Sequence, residues 1–233
     1  MSLLRLHVAA GRLVRVRRGL YASVSPGADA GGFEVDPYLV ASRLAPDAVV
    51  AYHAALQFRG KSYSVWHRVT FLTATKAKPV AFRGTEFQPV QVPRALRSLP
   101  DGGGGVLEER HAGGTVRVTT FERTLVDVLD DPRLGGGWEE IWRSLEMVEF
   151  FDLDAVVKHA LTRPALTVAR VGFFLEQHRE ALMVEERHLA PLRGRVPRQA
   201  RYLGTERESG HVVKPWNLVV PPLVLERSWG AVP

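Results

Sequence analysis

Apolar positions crowd the start of the chain, where Leu3, Leu4, Leu6, Val8, Ala9 and Ala10 make one short, largely apolar helix. The pattern changes after Gly11. Leu13, Val14 and Val16 are interleaved with Arg12, Arg15, Arg17 and Arg18, which predicts a basic strand. Gly11 is placed to stop the helix by taking positive φ, and Gly19 to turn the chain into a second strand at Leu20-Tyr21-Ala22. Ser25 to Gly32 is rich in breakers and predicts a linker. Asp36 then caps a helix that Pro37 opens and that runs through Tyr38, Leu39, Val40, Ser42 and Leu44 to Pro46. A second helix, capped by Asp47, is expected through Val50, His53, Ala54, Ala55 and Leu56 to Gly60.

From Ser62 to Val92 the period becomes strand-like. Val69 to Thr73, Val80 to Phe82 and Phe87 to Val92 are apolar and β-branched, with Pro79 and Pro89 expected at strand starts or edges. Asp101 to Gly105 predicts a flexible hairpin loop, since no Lys-Ser/Thr follows the glycines as in a phosphate loop. Val116 to Val118 is a further strand. Thr119 with Glu122 has the spacing of a capping box, opening a helix that carries Leu125, Val126, Val128 and Leu129 to Asp130-Asp131-Pro132. Helices are then expected around Trp138 to Val148, Asp152 to Leu161 and Thr167 to Leu182, with strands at Val212-Val213 and Asn217 to Val220. Strands and helices that segregate this way predict an α+β fold, not a doubly wound parallel sheet.

The 233 residues are 45% hydrophobic and 24% charged, ordinary for a folded chain. No apolar run reaches the length that spans a bilayer, and no secretory leader is expected. Cysteine is absent, which removes disulfides and thiolate chemistry and fits a reducing cytoplasm. The formal net charge is +6, which suits an acidic partner. It is concentrated at the start, where five arginines and no acidic residue precede Tyr21. Such a strand either lies along a nucleic-acid backbone or is a solvated sheet edge whose cations block aggregation.

Catalytic candidates are few. Asp127 and Asp131 share a helix face at i,i+4 and offer a metal two carboxylates, but Asp131 before proline also suits a helix end. Glu139, Glu140, Glu146 and Glu149 suit the solvated face of an amphipathic helix. The eight histidines have no metal-ligand spacing, and His53 suits packing or a hydrogen bond. No nucleophile elbow is present, and Glu86-Phe87-Gln88 lacks the lysine that a nuclease strand carries.

Three stretches in order resemble the AbiEi-type antitoxins of type IV toxin–antitoxin and abortive-infection systems: Gly11 to Ala22, Tyr52-His53-Ala54-Ala55-Leu56, and Val118-Thr119-Thr120-Phe121-Glu122-Arg123-Thr124-Leu125-Val126-Asp127. The resemblance implies a partial winged helix over residues 1–24, made of one helix and a β-hairpin wing, and a larger α+β antitoxin domain over 33–233. It implies a cytoplasmic, non-enzymatic regulator that binds the operator DNA of its own operon and counteracts a nucleotidyltransferase-like toxin. Arg12, Arg15, Arg17 and Arg18 would contact DNA, with Arg5 approaching the groove, and no metal or cofactor is implied. The Glu122 to Asp127 run would be structural, with Thr119 capping, Glu122 reciprocating and Arg123 paired with Asp127. A full winged helix has two or three helices before its wing, whereas one fits here, so the base-reading helix pair is missing or incomplete. Either the start codon is placed late or specific reading is lost, leaving phosphate contacts alone. Two other functions stay open: an antitoxin that binds only protein, and a metal-dependent nuclease using Asp127 or Asp131.

Overall fold

A computed structural model describes residues 3–25, 27, 29, 31–97, 104–204 and 209–229. The fold is α+β, as expected, and its contacts form two units. The first takes in residues 1–50, 66–92 and 107–118, the second 51–65, 93–106 and 119–233. Among the described residues no helix is long and apolar enough to cross a membrane.

The first unit opens with α1 (Leu3–Ala9) and the antiparallel hairpin β1 (Leu13–Arg17) and β2 (Leu20–Ser23). The expected linker follows, with Pro26, Ala28 and Ala30 outside the described residues. Next comes α2 (Pro37–Leu44), whose cap is the one expected: the Asp36 carboxylate accepts the Tyr38 and Leu39 amides at 3.0 and 2.9 Å. It packs beside a mixed sheet formed by β3 (Val49–Val50), β4 (Arg68–Thr73), β5 (Val80–Phe82), β6 (Thr85–Gln91), β7 (Val106–His111) and β8 (Gly114–Thr119). The strand order is β5-β6-β4-β3-β8-β7, with β4 parallel to β6, β3 parallel to β8, and β3 antiparallel to β4. Val50, Phe71, Leu72, Phe87, Val116 and Val118 fill its core.

Two expectations change here. Asp47 caps no helix: its carboxylate accepts the Thr73 hydroxyl at 2.5 Å and the Ala74 amide at 2.6 Å, and Val49-Val50 continues as a strand. Burial raises the Asp47 pKa, but those bonds outweigh it and hold the carboxyl below its usual range. Pro89 lies inside β6, opposite Phe71 of β4. The other side of β6 is open there, because β5 pairs only with Thr85, Glu86 and Phe87.

The second unit is mainly helical, with α3 (His53–Phe58), α4 (Arg94–Arg97), α5 (Phe121–Asp130), α6 (Pro132–Gly135), α7 (Trp138–Glu146), α8 (Leu153–Ala160), α9 (Ala165–Gln177) and α10 (Glu186–Arg193). It ends in a small sheet of β9 (Arg201–Tyr202), β10 (His211–Val213) and β11 (Leu218–Val220), then α11 (Pro222–Leu225). α5 is enclosed by α3, α8 and α9 and is buried from Arg123 to Leu129. Its cap falls one residue later than the capping box predicts: the Thr120 hydroxyl accepts the Arg123 amide at 3.3 Å. Thr119 stays in β8 because its carbonyl takes a 2.8 Å bond from Arg59 and its hydroxyl pairs with Thr124 at 2.7 Å.

Candidate nucleic-acid interface

Helix α1 is stopped by its glycine. The Gly11 amide donates to the Val8 carbonyl at 3.1 Å and the Arg12 amide to the His7 carbonyl at 2.9 Å, with Gly11 at φ 67°. These paired bonds are a Schellman stop, which fixes the direction in which β1 leaves the helix. In the hairpin Leu13 faces Ser23, Val14 faces Ala22, and Arg15 faces Tyr21. Past Arg15 the register shifts, and Gly19 at φ 84° closes the turn between Arg17 and Leu20. Along β1, Arg15 and Arg17 are exposed, whereas Val14 and Val16 are half-buried.

The five arginines named from the sequence are all exposed. Arg17 bonds back to its own fold, its Nη2 donating to the Leu44 carbonyl at the end of α2 at 2.9 Å. No acidic side chain among the described residues pairs with Arg5, Arg12, Arg15 or Arg18. Arg43, in the last turn of α2, is a further exposed cation that the sequence reading passed over.

The downstream motif residues form a separate cluster, inside the second unit. Arg163 pairs closely with Asp127, and Arg123 Nε lies 3.4 Å from the other Asp127 oxygen, all three side chains being nearly fully buried. The second Arg163 nitrogen reaches Asp130 at 3.7 Å, and Arg123 Nη1 donates to the Gly104 carbonyl at 2.6 Å. Burial pushes the Asp127 carboxyl up, against the pull of Arg163 and Arg123. Gly105, at the end of the glycine-rich run, has φ 64° and lies so close that a Cβ there would come within 2.8 Å of His159. Asp101 to Gly103, the rest of the predicted loop, lie outside the described residues. Tyr52, buried at the start of α3, holds φ 58°, a strained region for a bulky side chain, and burial together with the Asp127 charge raises its pKa.

His53 donates to Glu140 at 3.0 Å, and the same carboxylate accepts the Ser64 amide at 2.9 Å, the Ser64 hydroxyl at 2.7 Å and the Ser144 hydroxyl at 3.1 Å. Glu140 is thus buried, where a solvated helix face was expected. Glu139 pairs with Arg143, Glu149 with Lys61, and Glu146 with His178 and Arg227. Asp131 caps α6 and binds Arg133. These carboxylates are spent on the fold's own cations and amides. Among the described residues no three histidine or acidic side chains gather as a metal site.

No family model matches the chain, and no curated protein matches it. Among solved structures it is similar to the RV2827C protein from Mycobacterium tuberculosis, with 17% identity and a TM-score of 0.65 over 95% of this chain and 79% of that one. At this identity the likeness concerns the fold.

Proposed function

We propose that the protein is a non-enzymatic, cytoplasmic regulator of the AbiEi antitoxin type, which grips operator DNA through its N-terminal hairpin and counteracts a nucleotidyltransferase-like toxin. The observation that carries the DNA reading is the exposure of Arg5, Arg12, Arg15 and Arg18 around a hairpin whose cations have no acidic partner among the described residues. Guanidinium groups left this way lose little on meeting phosphates and release counterions when they do. Arg17 contributes differently, because its bond to the Leu44 carbonyl ties the hairpin to α2. The downstream motif fits a scaffold role, since Arg123 and Asp127 are consumed in a buried ion-pair cluster.

The test is a salt titration of binding to duplex DNA by fluorescence anisotropy. Replacing Arg12, Arg15 and Arg18 together by alanine should weaken binding and lower the slope of log affinity against log salt by up to about 3 units. Unchanged affinity at low salt would remove the hairpin from the interface. A second reading, an antitoxin that contacts only protein, draws on α1, where Leu3 is 70% and Leu6 51% exposed. Co-expression with the neighbouring toxin separates the two: rescue of growth by a chain that binds no operator favours the second.

A further inference from the structure

The hairpin, the segment before α2 and α2 itself line an open hollow of about 400 Å³ within the first unit. Its walls are mostly apolar: Val16, Leu20 and Ala22 come from the hairpin, Leu39 and Val40 from α2. Hollows of a few hundred Å³ with a few placed polar groups are the usual form of small-ligand sites.

Three charged side chains line this hollow, and they differ in how far they are used. Asp36 is spent, since one oxygen accepts the Tyr38 and Leu39 amides and the other pairs with His111 at 2.7 Å. Glu34 and Arg43 are exposed and have no ion-pair partner among the described residues. The cavity therefore offers an apolar floor, one available carboxylate and one available guanidinium. An apolar cation would satisfy Glu34 and leave Arg43 unmatched. An apolar anion would do the reverse. A molecule with an apolar body and both charges matches the whole lining.

We infer that this cavity binds a small apolar zwitterion of the free amino-acid class, its ammonium set toward Glu34, its carboxylate toward Arg43 and its side chain against Val16, Leu20 and Val40. The inference concerns the cavity alone and holds whether or not the hairpin meets DNA.

The experiment follows backbone amide shifts by NMR in the full chain, without DNA, as L-phenylalanine is added to millimolar concentration. Saturable shifts at Val16, Leu20 and Val40 are expected. L-phenylalaninamide, which lacks the carboxylate, and N-acetyl-L-phenylalanine, which lacks the ammonium, should each bind about tenfold more weakly or worse. Arg43→Gln should abolish discrimination against the first and Glu34→Gln against the second, and both are surface changes that leave the core intact. Ala22→Phe, which fills the cavity from the hairpin side, should remove the response. No shift with L-phenylalanine, equal binding of all three compounds, or a full response in Ala22→Phe with native-like spectra would each overturn the assignment.

Discussion

Asp127 keeps 1% of its side chain exposed and has a guanidinium on either side, so its stability as an ion depends on both. Arg163→Met would leave a buried carboxylate with Arg123 alone, at 3.4 Å, and should cost about 3–5 kcal/mol in urea denaturation. Adding Asp127→Leu should recover much of that loss, because an apolar pair replaces a desolvated ionic one. His53 carries a second consequence. Burial lowers its pKa below the ordinary 6.5, against the pull of Glu140. The unfolded chain then binds this proton more readily than the folded one, so stability is full above about pH 6.5 and falls as the pH drops below it. Burial raises the Glu140 pKa, but the bonds from Ser64 and His53 outweigh it and leave the carboxyl below its ordinary 4.5. Its stabilisation is present above that pH and is lost as pH falls further. His53→Gln should flatten the first part of the acid decline, read as the urea midpoint between pH 7 and 5. The i,i+4 spacing of Arg123 and Asp127 was legible from residue numbers. Arg163, 36 positions beyond Asp127, was not, because nothing local marks a partner chosen by the packing of α5 against the turn before α9.

Elements with strong local punctuation were readable: Gly11 after an apolar run, Gly19 inside a basic one, and Asp36-Pro37 before α2 all did what their chemistry dictates. Elements fixed by distant pairing were not. Val49-Val50 is too short to announce a strand, yet it is placed between β4 and β8 and so cannot continue the helix expected from Asp47. β7 was hidden by Glu108, Glu109 and Arg110, and its link to β8 is the two-residue turn Ala112-Gly113, both at positive φ. α9 ends at Gln177, short of the expected Leu182, and α10 breaks the C-terminal pattern further. α9 also carries a tight contact, where a Cβ on Gly172 would come within 2.1 Å of the buried Trp216 ring. Gly172→Ala should therefore destabilise by about 1–3 kcal/mol and alter the near-ultraviolet signal of the tryptophans.

At the scale of the whole molecule, a net charge of +6 is modest, and its placement matters more than its size. Among the described residues, most carboxylates of the second unit are engaged by its own cations, whereas Arg12, Arg15 and Arg18 are exposed to solvent. A basic stretch without acids was visible in the sequence. Whether those side chains fold back was not; among the described residues Arg17 alone does so, toward a carbonyl and not a carboxylate.

Each unit is assembled from three separated stretches of the chain. A ribosome that has delivered residue 118 has therefore supplied all of the first unit and, within it, two strips of the second. Ala51, Ala54, Ala55 and Leu56, buried in the finished protein, have at that moment no helix α5 to cover them. A fragment comprising residues 1–118 should accordingly aggregate or recruit chaperones, while the full chain stays monodisperse by size-exclusion chromatography. Delivery of the stretch beyond residue 118, and not the emergence of the amino end, sets when this fold can close.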